Sequence, residues 1–431
     1  MTFPASASAA KRGRAVRFMQ IEPTTRCNFT CKFCCGRQMD QSNLDTATFE
    51  HLIDSYPELE HIELQGEGEP LAHPQFFEMV RFARSRNIKV STITNGSLFT
   101  TQRIAEILDS DLQALLVSIE SADADAFGEI RGGSLQGVKD GIRALLSERN
   151  ARGRRHPSVG LAVTVLRRTQ HELPRIAALY EELGLDGGIT VHMLNPMQSY
   201  RRTYDASMRD QQLGKAEEAM VWAKYAKILR SPTYRRSDVE HFYDNIYGTF
   251  LSVSSYVPDD RAFTNVYRSC PWLDQALFVN RHGIATGCPR IKEHEVYPLG
   301  DVRADDRDTI IDARNRMRSD LAAGLVPPPC ERCFIAESIS RRLGALAERT
   351  PRPAGEREGS GPSRPIAREG IGFLDGGEDL MAAVAALADG RRSGAEIAAE
   401  LGRRWGQTSA EAQRHVMPAL DELVRRGTLV D

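Results

Sequence analysis

Short apolar runs alternate with amphipathic stretches through the first half of the chain. Val16 to Glu22 reads as a strand, and Phe49, Leu52 and Ile53 then share one helical face. His61-Ile62-Glu63-Leu64 is a second strand. It runs into Gly66-Glu67-Gly68-Glu69-Pro70, where glycine lets a backbone approach a ligand closely. Ile88 to Ile93 makes a third strand, ending in Thr94-Asn95-Gly96. A helix carrying Ile104, Ile107 and Leu108 leads to a fourth, Ala114 to Ser121. Val159 to Leu166 and Gly188 to Leu194 are the fifth and sixth, separated by a helix with Leu173, Ile176, Leu179 and Tyr180 on one side. Strands alternating with helices imply parallel β–α units, so the fold class is α/β and ligands belong at the C-terminal strand ends.

Beyond the sixth strand the pattern changes. Residues 200–269 hold a helical patch, Ala216 to Leu229, and many tyrosines; the segment either caps a site or is a packed helical elaboration. Phe278-Val279-Asn280 and Gly283-Ile284-Ala285-Thr286 read as a small hairpin, followed by a turn at Leu299-Gly300-Asp301-Val302. Residues 347–370 are rich in Arg, Pro, Glu, Gly and Ser without apolar periodicity, which is a linker composition. Three helical stripes follow: Leu380, Val384 and Leu387; Ile397, Ala398 and Leu401; Val416, Leu420, Leu423 and Val424. Breaks are expected at Asp389-Gly390 and from Gly402 to Gly406. Ile371-Gly372-Phe373-Leu374 is a strand candidate before the helices, and Leu429-Val430 one after them.

Chemistry enters with the eight cysteines, which fall into two groups of four. Cys27, Cys31 and Cys34 stand in a C-x3-C-x2-C loop directly after the first strand. A cubic iron–sulfur cluster normally takes four thiolates, so three leave one iron open to a small molecule. Zinc fits this loop poorly, because its sites present four ligands in paired spacings. Cys35 could supply a fourth thiolate, but neighbouring cysteines reach two irons of one cube only with strain, and it reads as a buried thiol. The second group, Cys270, Cys288, Cys330 and Cys333, is spaced C-x12-G-x4-C and then C-x2-C. A cluster or a structural zinc ion both suit four such ligands.

At 431 residues and 41% hydrophobic content the chain can bury a large core and two smaller modules. A net charge of −2 and a tail mixing Arg with Glu and Asp leave no basic footprint for nucleic acid. Residues 1–15 have no apolar signal-like core and no run suggests a membrane span, so reduced thiols and a cytoplasmic location are expected.

Taken in order, these motifs resemble the radical S-adenosylmethionine (radical SAM) superfamily over about the first 200 residues. The resemblance implies an open, partial (β/α)6 barrel in which Cys27, Cys31 and Cys34 hold a [4Fe–4S] cluster and Phe33 packs by the adenine of SAM. Gly68, Glu69 and Pro70 are similar to the family's GGEP turn, which receives the methionine amino group. Asn95 and Ser118 stand where ribose or carboxylate contacts arise, and Arg131-Gly132-Gly133 resembles a further family turn. The later cysteines resemble the SPASM extension in its shorter twitch form, implying a second [4Fe–4S] cluster on Cys270, Cys288, Cys330 and Cys333.

Asp389-Gly390-Arg391-Arg392-Ser393, Glu396-Ile397-Ala398 and Leu423 to Val430 are similar to the peptide chaperone of pyrroloquinoline quinone biosynthesis. Relatives of that domain bind leader peptides at a sheet edge. That family carries three strands before its helices, where this chain shows one. The implied organisation is a disordered 1–15, a radical SAM barrel at 16–199, a helical insertion at 200–269 and a twitch-like domain at 270–346. A linker at 347–370 and a helical, winged-helix-like domain at 371–431 complete it.

The chemistry implied is hydrogen-atom abstraction through a 5′-deoxyadenosyl radical, with a second electron passing to the auxiliary cluster. His192 in the sixth strand is the candidate proton acceptor. Two substrates stay open: a ribosomal peptide precursor, or a sugar or aminocyclitol hydroxyl in antibiotic biosynthesis. A flavodoxin or ferredoxin would supply electrons. A non-catalytic metal-binding adaptor is the remaining alternative.

Overall fold

The computed structural model of the protein describes residues 15–234, 269–348, 352–353, 380–426 and 428–430. They divide into two compact units, one holding 16–234 and 275–313, the other 269–274, 314–348 and the C-terminal helices. Of the expected elements, the strand at 371–374 and most of the linker lie outside the described residues, as does the insertion beyond residue 234.

The first unit is built on a nine-stranded sheet. Strands β1 (Phe18–Ile21), β2 (His61–Leu64), β3 (Lys89–Thr94), β4 (Ala114–Ser118), β5 (Ser158–Val165) and β6 (Ile189–Met193) pair in sequence order, all parallel. β7 (Ala276–Val279) joins the free edge of β1, also parallel. β8 (Ile284–Thr286) and β9 (Gly300–Asp301) continue outward antiparallel, so the hairpin expected at 278–286 forms. Helices α1 (Thr46–Ser55), α2 (Phe76–Ser85), α3 (Thr101–Asp109), α4 (Ala124–Arg131), α5 (Leu135–Ala151) and α6 (Leu173–Glu182) supply the crossovers. Two more, α7 (Gln198–Arg201) and α8 (Lys215–Leu229), follow β6. Several starts are fixed by the residue before the helix: Asp45, Thr100, Asp123 and Ser134 each accept a first-turn amide that would otherwise lack a partner.

Side chains alternate across a strand, so the register sorts them onto two faces. Met19 pairs with Ile62, Leu115 with Val159 and Val117 with Leu161, an apolar face. A Cβ on Gly96 would lie 2.8 Å from Val117 and 3.0 Å from Val138 of α5, so this face abuts the helices. Burying each such side chain contributes roughly 1.5–3 kcal/mol. The other face is mixed, with polar groups on β1–β3 and β5–β6 and an apolar cluster of Ile93, Ala114, Leu116 and Ala162 between them. Gln20 pairs with Glu63 and Glu63 with Ser91, while Thr164 pairs with His192. His61, Glu63 and Ser91 are each at most 3% exposed, and the His61 ring bonds Ser91 Oγ at 2.8 Å. Polar groups kept from water make this face a place for recognition, because every buried polar group needs a partner.

Helix α9 (Pro271–Gln275) and helix α10 (Arg307–Ala322) cross the boundary between the units. In the second unit α11 (Phe334–Glu348) packs on α13 (Gly394–Trp405) and α14 (Ser409–Arg425), with α12 (Leu380–Leu387) beside them. A two-residue strand β10 (Arg352–Pro353) pairs antiparallel with β11 (Leu429–Val430). The break expected within Gly402 to Gly406 falls at its far end: α13 runs through Gly402 and stops at Gly406, whose φ is +65°. A Cβ at Gly402 would sit 2.9 Å from Ala412 Cβ, so this glycine serves close packing against α14 rather than a turn.

Candidate active site

The loop from Thr25 to Cys34 leaves the C-terminal end of β1 and is pinned at both sides. Thr25 Oγ1 donates to the Asp40 carbonyl at 2.6 Å. Thr30 and Lys32 amides donate to the carbonyls of Arg131 and Ile130 at 3.1 and 3.0 Å, and Cys34 N to Cys31 O at 3.2 Å. The receiving turn needs its glycines. Gly132 has φ +73° and a Cβ there would meet Thr30 Oγ1 at 2.2 Å, while one on Gly133 would strike the Phe29 ring. Arg131 is buried and forks onto Glu120, with Nη2 2.6 Å from Oε1 and a second bond from Nε. Its remaining nitrogen, Nη1, lies 3.7 Å from Cys31 Sγ.

Two of the three thiols have donors aimed at them, whereas Cys34 Sγ faces oxygens of Glu67. Cys27 Sγ accepts from Phe29 N at 3.4 Å and Asn95 Nδ2 at 3.8 Å, beside the Arg131 contact to Cys31. Such donors stabilise thiolate sulfur, the form that binds iron. Burial pushes the Cys31 thiol up to about 11, against the pull of Arg131. Burial likewise raises Cys27 and Cys34. Loading iron therefore releases protons. Among the described residues no three Cys, His, Asp or Glu side chains converge as a single ion would require. A cube takes one thiolate per iron and needs no such convergence, so the donor set fits a cluster.

Gly68-Glu69-Pro70 stands beside this loop. A Cβ on Gly68 would lie 2.4 Å from the Thr24 carbonyl, and Glu69 N donates to Arg26 O at 2.8 Å. The buried Glu69 carboxylate accepts from Leu71 N at 3.1 Å, Thr94 Oγ1 at 2.6 Å and Asn95 N at 2.7 Å. It ties the ends of β2 and β3 together, and Pro70 opens a short 3-10 turn. Asn95 Nδ2 also reaches Asn28 Oδ1 at 2.9 Å. Phe33 is half-buried against Ile130, Leu166, Leu194, Tyr204 and Met208, with the Arg131 guanidinium 5.8 Å from its ring. Cys27, Cys31, Phe33, Glu69 and Asn95 are thus brought into one neighbourhood. Ser118 ends β4 opposite Ala162, and His192 lies in β6 on the mixed face. Burial and the Arg290 charge hold His192 near 4, so its imidazole is neutral at pH 7.

Sequence reasoning missed a second constellation. Lys292 Nζ is 2.5 Å from Glu67 Oε1 and lies over the rings of Tyr200 and Phe278, at 5.4 and 5.6 Å. Glu67 Oε2 and its carbonyl lie 3.8 and 3.5 Å from Cys34 Sγ. Glu67 N donates to Glu22 Oε1 at 3.0 Å, and Arg281 pairs with Glu22 at 3.0 Å and with Asp40. A carboxylate between the two glycines of the β2 turn was the available signal for Glu67; Lys292 carried none. Of the remaining cysteines, Cys288 follows β8 in the first unit, whereas Cys270, Cys330 and Cys333 belong to the second. There Cys333 N donates to Cys330 O at 3.1 Å and Cys333 precedes α11. A cavity of about 280 Å³ opens beside Cys270, between Leu321, Ile339 and Pro418.

Residues 21–180 match the Radical SAM superfamily. Over these residues the chain is similar to a radical SAM domain. A radical SAM domain is an enzyme domain, and it implies SAM and a [4Fe–4S] cluster. The chain is 28% identical over 201 residues to the tungsten-containing aldehyde ferredoxin oxidoreductase cofactor-modifying protein of Pyrococcus furiosus, covering 45% of this chain and 56% of the relative. It is 28% identical over 173 residues to the mycofactocin maturase MftC of Mycobacterium tuberculosis, covering 39% of this chain and 43% of the relative. The chain thus spans about half the length of these relatives. The fold is similar to that of Streptococcus suis SuiB bound to S-adenosylmethionine, at a TM-score of 0.54 and 14% identity over 73% of this chain and 71% of SuiB. SuiB has also been solved bound to its precursor peptide SuiA. Among the described residues no helix is long and apolar enough to cross a membrane.

Proposed function

We propose that the protein is a radical SAM oxidoreductase that modifies a peptide precursor. The observation that carries it is the pinned loop of Cys27, Cys31 and Cys34 at the end of β1, inside the segment that matches the Radical SAM superfamily, with N–H donors directed at two of its sulfurs. Cys27, Cys31 and Cys34 would hold a [4Fe–4S] cluster, and with SAM at its open iron it would supply radical chemistry able to break an unactivated C–H bond. The chain's own residues position the cofactor and the substrate. Gly68, Glu69 and Pro70 shape the wall that receives the SAM amino group, Asn95 and Ser118 the side facing ribose or carboxylate, and Phe33 the adenine side. His192, held neutral, accepts a proton on the mixed face.

Cys270, Cys288, Cys330 and Cys333 would hold a second, auxiliary cluster in a twitch-like segment. Support for a peptide substrate comes from the mycofactocin maturase relative, from SuiB with its precursor peptide, and from the C-terminal helices with their short β10–β11 sheet. The test is anaerobic reconstitution with iron and sulfide, then iron counting and a SAM-cleavage assay under reductant. About eight irons with release of 5′-deoxyadenosine supports two cubic clusters, and about four with one zinc leaves only the catalytic one. No SAM cleavage in loaded protein would sink the enzyme reading. Acceleration of cleavage by an aminocyclitol, and not by precursor peptides, would overturn the peptide half.

A further inference from the structure

We infer that the Glu67–Lys292 ion pair is a charge-balancing device for the Cys34 corner of the cluster site. The inference rests on the radical SAM reading above. Two oxygens of Glu67 face Cys34 Sγ, the carboxylate Oε2 at 3.8 Å and the main-chain carbonyl at 3.5 Å. An anionic carboxylate this close to a thiolate repels it, and repels still more the extra electron a cluster takes up on reduction. The carboxylate has little freedom to swing away. Its backbone amide is held by Glu22, and Glu22 is held by Arg281. A Cβ on the preceding Gly66 would lie 2.2 Å from Glu22 Cγ, so the turn is packed tightly at this point.

Lys292 removes the repulsion. Its side chain is only 7% exposed, its ammonium is 2.5 Å from Glu67, and the Tyr200 and Phe278 rings complete its cage. On the opposite side of the loop Arg131 is balanced by Glu120 in the same manner. The cysteine loop is therefore flanked by two buried pairs, each of zero net charge, and the thiolates keep the only unbalanced charge among these groups. A further consequence follows from chain order. Lys292 comes four residues after Cys288, and Ile291 N donates to the Cys288 carbonyl at 3.2 Å. The short segment that carries one auxiliary cysteine thus also supplies the counter-charge for the catalytic loop.

The experiment uses the full chain, reconstituted anaerobically, and reads the midpoint potential of the reduced-cluster EPR signal that changes on adding SAM. Lys292→Met leaves Glu67 unbalanced and is expected to lower that potential. Glu67→Gln leaves Lys292 unbalanced and is expected to raise it. The double variant is expected to return close to wild type, and Lys292→Arg to stay there. A merely structural pair would loosen packing in either single variant and move both potentials the same way, or neither; either result overturns the inference. Should Lys292→Met fail to load iron, the upward shift in Glu67→Gln and its cancellation in the double variant still decide. Wild-type protein that takes up no cluster would fail first in its own iron count, bringing down the radical SAM reading and this inference with it.

Discussion

Glu63 sits in the middle of β2 on the mixed face, 2% exposed, between Gln20 and Ser91. Burial pushes its carboxyl up from 4.5 to about 8, so the folded chain holds a proton there at neutral pH. The unfolded chain releases that proton from about 4.5 upward, so across the window from 4.5 to 8 the native state binds more protons and stability falls as pH rises. Glu63→Gln keeps the shape without the titration. Its advantage over wild type should grow between pH 5 and pH 8 by at most about 1.4 kcal/mol per pH unit, measured by urea unfolding at both pH values. Parallel pH profiles would refute this. His61 and His192, which burial holds near 3 and 4, act with the opposite sign. Their stabilisation is complete above the ordinary histidine value of 6.5 and is lost as pH falls toward those values, equally in both proteins.

A second residue-scale expectation concerns Arg131. Arg131→Ala strands the 1%-exposed Glu120 carboxylate, and by the general cost of breaking a buried pair it should destabilise the protein by roughly 3–5 kcal/mol. Thermal unfolding of the cluster-free chain checks this, and a loss below about 1 kcal/mol would show Glu120 finding another partner. The contrast between residues explains what the sequence could and could not reveal. Cys27, Cys31 and Cys34 stand out in the sequence as one residue type at short spacing, and the structure places them in one pinned loop. Arg131 was legible only as part of a turn, its pairing with Glu120 and Cys31 being a matter of three dimensions. Glu67 and Lys292 meet across most of the first unit, and no local pattern announces a lysine that will be buried.

At the scale of elements, β1 to β6 were readable because each is a short apolar run ending in a polar turn, and the βαβ rule then orders them. The pairing of β7 with β1 was not readable, since it joins residues far apart in sequence whose apolar character suits any strand neighbour. Within the expected break, Gly406 ends the helix by its backbone freedom, whereas Gly402 answers to Ala412 on the facing helix. The starts of α13 and α14 carry their own signature. Ser393 with Glu396, and Thr408 with Glu411, form reciprocal capping boxes, with Thr408 N donating to Glu411 Oε2 at 2.7 Å and Thr408 Oγ1 accepting from Glu411 N at 3.3 Å. Thr408→Ala removes the acceptor for one amide and should cost about 1 kcal/mol, whereas Thr408→Ser should be nearly silent. Chemical unfolding of both variants tests it. Equal losses would mean that the methyl group of Thr408, and not its hydroxyl, matters.

At the scale of the molecule, the cysteines are not distributed as two self-contained modules. The first unit carries Cys27, Cys31, Cys34 and Cys288, and the second carries Cys270, Cys330 and Cys333. If the four later cysteines hold one auxiliary cluster, metal-binding free energy becomes folding free energy for the segments that carry them. Two multiple variants separate the roles. Replacing Cys27, Cys31 and Cys34 by Ala should remove about four irons and abolish SAM cleavage. Cys330→Ala with Cys333→Ala should also remove about four irons, yet leave 5′-deoxyadenosine release in the presence of a strong reductant, because the open iron of the first site is untouched. What this second variant should lose is modified peptide. Retention of product after the loss of those irons would show the auxiliary site to be structural only. Finding zinc in place of the missing irons would identify it as a metal clip, leaving electron removal from the substrate to another acceptor.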